Sequence, residues 1–152
     1  AIFDIDGTLA LMDKEKGRFA ALPGAVEALA ACRDAIDIYQ GEFLPEEPYL
    51  SGAETRRAAL KDQFIAVLME AAGILEQGGE LSQATRYCKT VIQVDSLTEA
   101  AYQQLMRLHV RQGQRSAALK VYHALAKVLA TDLDTAPDPA TTRFYKEILS
   151  SD

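Results

Sequence analysis

Gly78-Gly79-Glu80-Leu81-Ser82-Gln83-Ala84 is echoed further along the chain by Gln112-Gly113-Gln114-Arg115-Ser116-Ala117-Ala118. In each stretch a Gly is followed five positions later by an Ala, and the two glycines lie 34 residues apart (113 − 79). Apolar positions travel with the pair: Ala71, Leu75, Cys88 and Ile92 map onto Leu105, His109, Tyr122 and Ala126. A repeat of this length is one helical hairpin that buries a single face and needs a neighbour to cover it. Ala84 and Ala118 fall where the two helices of each hairpin cross closely, and a larger side chain there would force them apart.

Outward from the echo, the chain reads as nearly all helix. Pro23 suits a first helical turn, and Ala25–Tyr39 follows, with Val26, Leu29, Ala30, Ile36 and Tyr39 as a partial apolar stripe. Gly41 ends it, and residues 42–49, with Pro45 and Pro48, form an irregular link in which Phe43, Leu44 and Tyr49 pin the first helix to the repeats. Ser51-Gly-Ala-Glu54 has capping-box spacing and opens a helix to about Gln77, whose core face is Leu60, Phe64, Val67, Leu68, Ala71 and Leu75. Leu81–Val94 returns with Ala84, Tyr87, Cys88, Val91 and Ile92 inward. Ser96-Leu-Thr-Glu99 reads as a second capping box, opening Leu97–Gln112 with Ala101, Tyr102, Leu105, Met106 and His109 buried. Ser116–Thr131 packs back through Ala118, Tyr122, Leu125 and Leu129, and Asp138-Pro139 caps a short last helix bearing Phe144, Tyr145, Ile148 and Leu149. The expected fold is all-α: tetratricopeptide-like stacked helical hairpins with a short N-terminal strand-like segment. Residues 1–23 form that segment, and 24–152 the helical-repeat domain.

The bulk properties narrow the function classes. A chain of 152 residues, 49 % apolar and 25 % charged, suits one domain with a core. A formal charge of −6 opposes DNA binding by the surface as a whole. No apolar run approaches the roughly 18 residues of a membrane span, so no membrane partner is expected. The start, Ala1-Ile2-Phe3-Asp4, has no signal-peptide pattern and no initiating Met, which suggests an excerpt of a longer protein. The two cysteines, Cys32 and Cys88, lack metal-ligand spacing and read as reduced structural thiols of a cytoplasmic protein.

Four blocks carry a family resemblance. Ala35-Ile-Asp-Ile-Tyr39-Gln-Gly41-Glu-Phe43-Leu44-Pro45 resembles the opening motif of the bacterial transcriptional activator domain. Asp95-Ser-Leu97-Thr-Glu99-Ala-Ala-Tyr-Gln-Gln-Leu105-Met106-Arg107 resembles its run between hairpins. Gly113-Gln-Arg-Ser-Ala117-Ala-Leu119-Lys-Val-Tyr122 and Leu133-Asp-Thr-Ala-Pro137-Asp-Pro139 complete the set in the family's order, over residues 34–150. Ser96 departs from the pattern, where the family prefers Pro; a Ser can still cap the helix. The resemblance implies an all-helical, non-catalytic module of bacterial transcription regulators. It implies self-association or a protein partner, and DNA contact only through a neighbouring winged-helix domain outside this chain.

Asp4-Ile5-Asp6-Gly7-Thr8-Leu9, preceded by Ile2-Phe3, also resembles the first motif of haloacid-dehalogenase-like phosphohydrolases. Under that reading Asp4 would be the nucleophile, Asp6 the general acid and base, and Mg²⁺ the cofactor. The enzyme's remaining strands and its phosphate-binding Lys are not found after residue 40, and Asp132-Leu-Asp134-Thr135 only mimics the motif without a strand before it. The same residues also read as the end of a winged-helix β-hairpin, or as the junction of a truncated or joined chain. Apart from this alternative, no catalytic residue, metal ligand or cofactor is expected.

The remaining polar candidates are few. His109 and His123 have no partner at metal-ligand spacing and read as packing residues. Arg107, Arg111 and Arg115 recur every four residues, as a solvated face or as cations complementing the helix C-terminus. In stacked hairpins the first helix of each pair lines a concave groove that can receive a peptide. The register puts Met69, Gly73, Gln103, Arg107 and Val110, with Arg111, on that side, as a surface for an acidic or amphipathic segment. Charge reversal at Arg107 and Arg111 is then expected to weaken association without unfolding the chain.

Overall fold

The computed structural model describes residues 24–38 and 52–151, and every regular element among them is an α-helix. The helices are α1 (Ala25–Ile38), α2 (Ala53–Gly78), α3 (Leu81–Val94), α4 (Glu99–Arg111), α5 (Arg115–Asp132) and α6 (Pro139–Ser150). Each packs chiefly on the next in sequence, so the described chain is a stack of helical hairpins. The N-terminal strand-like segment, Tyr39 and the Phe43, Leu44 and Tyr49 link lie outside the described residues.

Both hairpin turns are built alike, and backbone geometry explains the echo. Gly79 (φ 84°) donates to the Glu76 carbonyl at 3.1 Å, and Glu80 N–H to the Leu75 carbonyl at 2.8 Å. Gly113 (φ 73°) and Gln114 repeat the pair on Val110 (3.0 Å) and His109 (2.8 Å). This Schellman closure needs a left-handed residue just past the helix, which Gly supplies without a Cβ penalty. Five residues on, Ala84 and Ala118 are both fully buried at the helix crossings.

The principal core cluster joins Leu29 and Cys32 of α1, Ala71, Ala72 and Leu75 of α2, Ala84 and Cys88 of α3, and Leu105 and Leu108 of α4. Tyr102, Leu125 and Leu129 pack α4 on α5, and Met106, Ala118 and Ile148 extend the core to α6. Several expected stripe positions differ. On α1 it is Ala25, Leu29 and Cys32 that are buried, while Val26 turns outward; on α6 Leu149 is exposed and Ile148 buried. Leu60, Phe64 and Val67 of α2 are half-buried.

The helix starts correct two expectations. The N-cap of α2 is Gly52, with no side-chain bond, rather than a capping box; Ser51 lies outside the described residues. Helix α4 begins at Glu99, not Leu97, and its N-cap Thr98 makes no side-chain bond. Asp95 Oδ1 instead accepts from Leu97 N–H at 3.0 Å, turning the chain before the helix. Glu99 is drawn away by α6: its Oε1 accepts from Asp138 N–H at 2.8 Å and from Thr141 Oγ1 at 2.5 Å. At α6 the expected cap forms, with Asp138 Oδ1 accepting from Ala140 N–H at 2.7 Å and Pro139 in the first turn.

Candidate functional site

The first helices of the two consecutive hairpins, α2 and α4, flank an open cleft of about 440 Å³ lined by Met69, Gly73, Glu76, Gln77, Gln104, Arg107 and Arg111. The repeat explains its make-up. Shifted by 34 positions, Gly73 and Gln77 of α2 correspond to Arg107 and Arg111 of α4. The cleft therefore sets two small or neutral positions of one repeat against the two cations of the next.

Glu76 organises the cleft. Among the described residues it is the one buried acidic group, placed on the α2 face that meets α4. Arg107 donates to both its carboxylate oxygens, Nε to Oε1 at 2.7 Å and Nη2 to Oε2 at 3.0 Å. Gln104 Nε2 donates to Oε2 at 3.2 Å, while Arg111 Nη1 donates to the Glu76 carbonyl at 3.0 Å and lies 3.5 Å from Oε1. Burial pushes the Glu76 carboxyl up, but the hydrogen bonds and charge of Arg107, with Gln104 and Arg111, outweigh it and hold the group below the ordinary carboxylate range. Cys88, close enough to feel both charges, is pushed up to about 12 chiefly by burial, which keeps it a neutral thiol.

The guanidiniums are oriented but not used up. Their side chains remain 51 % and 44 % exposed for Arg107 and Arg111, against 10 % for Glu76. Nη1 of Arg107 and both Nε and Nη2 of Arg111 have no partner among the described residues. Two cations and one carboxylate leave one net positive charge with donors pointing outward.

Gly73 carries a separate signal. It lies inside a 26-residue helix, where Gly costs about 1 kcal/mol relative to Ala. Its φ is ordinary for a helix, and a Cβ built on it meets nothing within 4 Å. Neither backbone strain nor packing requires a Gly there; what its absent side chain leaves is room in the cleft.

Of the six groove positions expected from sequence, Met69, Gly73, Arg107 and Arg111 line the cleft. Gln103 does not; its Nε2 donates to Thr141 Oγ1 of α6 at 2.6 Å. Val110 is exposed, outside the cleft lining, at the position equivalent to Glu76. Sequence reasoning missed Glu76, Gln77 and Gln104. A signal was available: Glu76 plus 34 is position 110, which lies three residues after Arg107 and one before Arg111, so the repeat sets the carboxylate level with both cations of the next unit. Charge reversal at Arg107 is not innocuous, since it would face a buried carboxylate with a second one.

The other candidates serve structure. Arg115 is no part of the cleft: it donates to the Ile148 and Leu149 carbonyls at 2.9 and 2.6 Å, capping the end of α6. His109 is buried and hydrogen-bonds Gln114 through Nδ1 at 2.7 Å, whereas His123 is exposed against the edge of Tyr145 rather than packed inside. Cys32 and Cys88 are free, buried thiols. Among the described residues no group of His, Cys, Asp and Glu could hold a metal ion, and no helix is long and apolar enough to cross a membrane. Asp4 and Asp6 lie outside the described residues.

Residues 5–149 match the family model of the bacterial transcriptional activator domain. Neither the curated proteins nor the solved structures contain a match.

Proposed function

The chain belongs to the bacterial transcriptional activator domain family and is a transcription-regulator domain; on that premise we propose that it acts as a non-catalytic docking and oligomerisation module of a cytoplasmic regulator. DNA is met by a winged-helix domain outside this chain, in keeping with the net charge of −6. The observation that carries the docking role is the α2–α4 cleft, where a buried Glu76 aims two half-exposed guanidiniums while taking only part of their donors. A regulator held together through such a surface changes its output by changing which copies or partners are in contact, not by turning over a substrate.

The test pairs a transcriptional reporter with an activity assay. In the regulator carrying this domain, Gly73→Leu fills the cleft and reduces activation, while Asp4→Asn leaves activation intact. The isolated chain releases no phosphate from a generic phosphate ester, with or without Mg²⁺. Mg²⁺-dependent hydrolysis that disappears in Asp4→Asn overturns this function.

A further inference from the structure

We propose that the cleft between α2 and α4 receives the Asp132-Leu133-Asp134 corner of a second copy of this chain, a contact that rests on the docking role above and gives it an occupant. Leu133 follows the last residue of α5 and is the most exposed large apolar side chain among the described residues, at 52 %. Two exposed carboxylates flank it, and neither Asp132 nor Asp134 has an ion-pair partner among the described residues. The corner is a defined shape rather than a loose end. Leu133 and Thr135 N–H both donate to the Leu129 carbonyl, at 3.0 and 3.2 Å, and Asp134 adopts the left-handed φ of 51° that turns the chain off the helix.

The two surfaces match in charge and in shape. The cleft offers one net positive charge with free guanidinium N–H groups, and beside them the Met69 side chain and the open space over Gly73. A carboxylate gripped by Arg111 or Arg107 leaves a neighbouring apolar side chain to sit on Gly73. This explains a helix-interior Gly that no packing requires.

The corner cannot reach the cleft of its own chain. The Asp138 to Glu99 bond holds the segment after the corner at the start of α4, while Arg111 is the last residue of α4. Over 13 residues the helix separates those ends by roughly 18 Å. Corner and cleft therefore meet between copies, reciprocally in a two-fold pair or head to tail in a longer assembly.

Sedimentation equilibrium on the full chain tests this with two single variants and their mixture. Gly73→Leu plugs the cleft and keeps the corner; Leu133→Lys spoils the corner and keeps the cleft. Circular dichroism establishes that each is folded. The unsubstituted chain self-associates as concentration rises, and each variant alone associates about tenfold more weakly or worse. An equimolar mixture forms one complex that stops at two chains, because only one intact corner and one intact cleft remain. Variants that associate as well as the unsubstituted chain, or a mixture that stays monomeric, overturn this contact while leaving a docking role elsewhere intact. An unsubstituted chain that stays monomeric at every concentration overturns the contact and self-association together.

Discussion

At the scale of single residues, the structure ranks the cleft's polar groups by what each leaves behind when removed. Arg107→Ala removes the two arginine hydrogen bonds from a buried carboxylate that keeps Gln104 and Arg111, and we expect a loss of about 2–3 kcal/mol, below the full cost of a buried pair because the arginine is half exposed. Arg111→Ala removes a carbonyl contact and a longer ion pair, and should cost under about 1 kcal/mol in the same urea titration. Because Glu76 is held below its ordinary value, its contribution to stability is present above about pH 4.5 and is lost as pH falls through the lower folded-state value. Glu76→Gln should flatten that acid limb of the stability curve; an unchanged limb would show that other carboxylates set it. Little of this network was legible in advance. An acidic residue on an inward face reads as a gap in an apolar stripe, and only pairing across the repeat period turns it into an organiser of two arginines.

Elements are where sequence reading was strongest, and the reason is backbone chemistry. Gly79 and Gly113 mark hairpin turns because a Schellman closure requires a left-handed residue, and Ala84 and Ala118 mark crossings because the backbones leave no room. The two glycine classes should part company on substitution. Gly113→Ala, at positive φ, is expected to lower stability by about 1 kcal/mol, whereas Gly73→Ala, in ordinary helix with open space around it, should raise it by up to about 1 kcal/mol in thermal unfolding. The second capping box misled because a local pattern was overruled by a tertiary partner: Glu99 serves α6 instead of its own helix. Helix α6 is thus held at its start by Glu99 and at its end by Arg115. Glu99→Ala leaves the fully buried Thr141 hydroxyl without that acceptor, at a cost of about 1–3 kcal/mol. Hydrogen exchange should report it as faster exchange in α6 than in α2 or α3; uniform acceleration would mean that α6 does not open separately.

On the scale of the whole molecule, the stack is a one-dimensional object whose repeats touch mainly their neighbours. Such a chain sets the first helices of successive repeats side by side, and here a half-exposed ion pair and a helix-interior glycine shape the cleft between them. Fold class and family followed from the repeat and the four sequence blocks, since both depend on positions the backbone fixes. The occupant of the cleft did not, because it depends on which helix faces the next and what projects from the far end of the stack. The most direct measurement is an NMR dilution series on the full chain, following the Gly73 amide, the Arg107 and Arg111 Nε–H signals and the Leu133 amide. These four signals should move together with concentration while α1 amides stay still. Cleft signals that hold constant while the chain associates through other residues, or that never move at all, would contradict the contact.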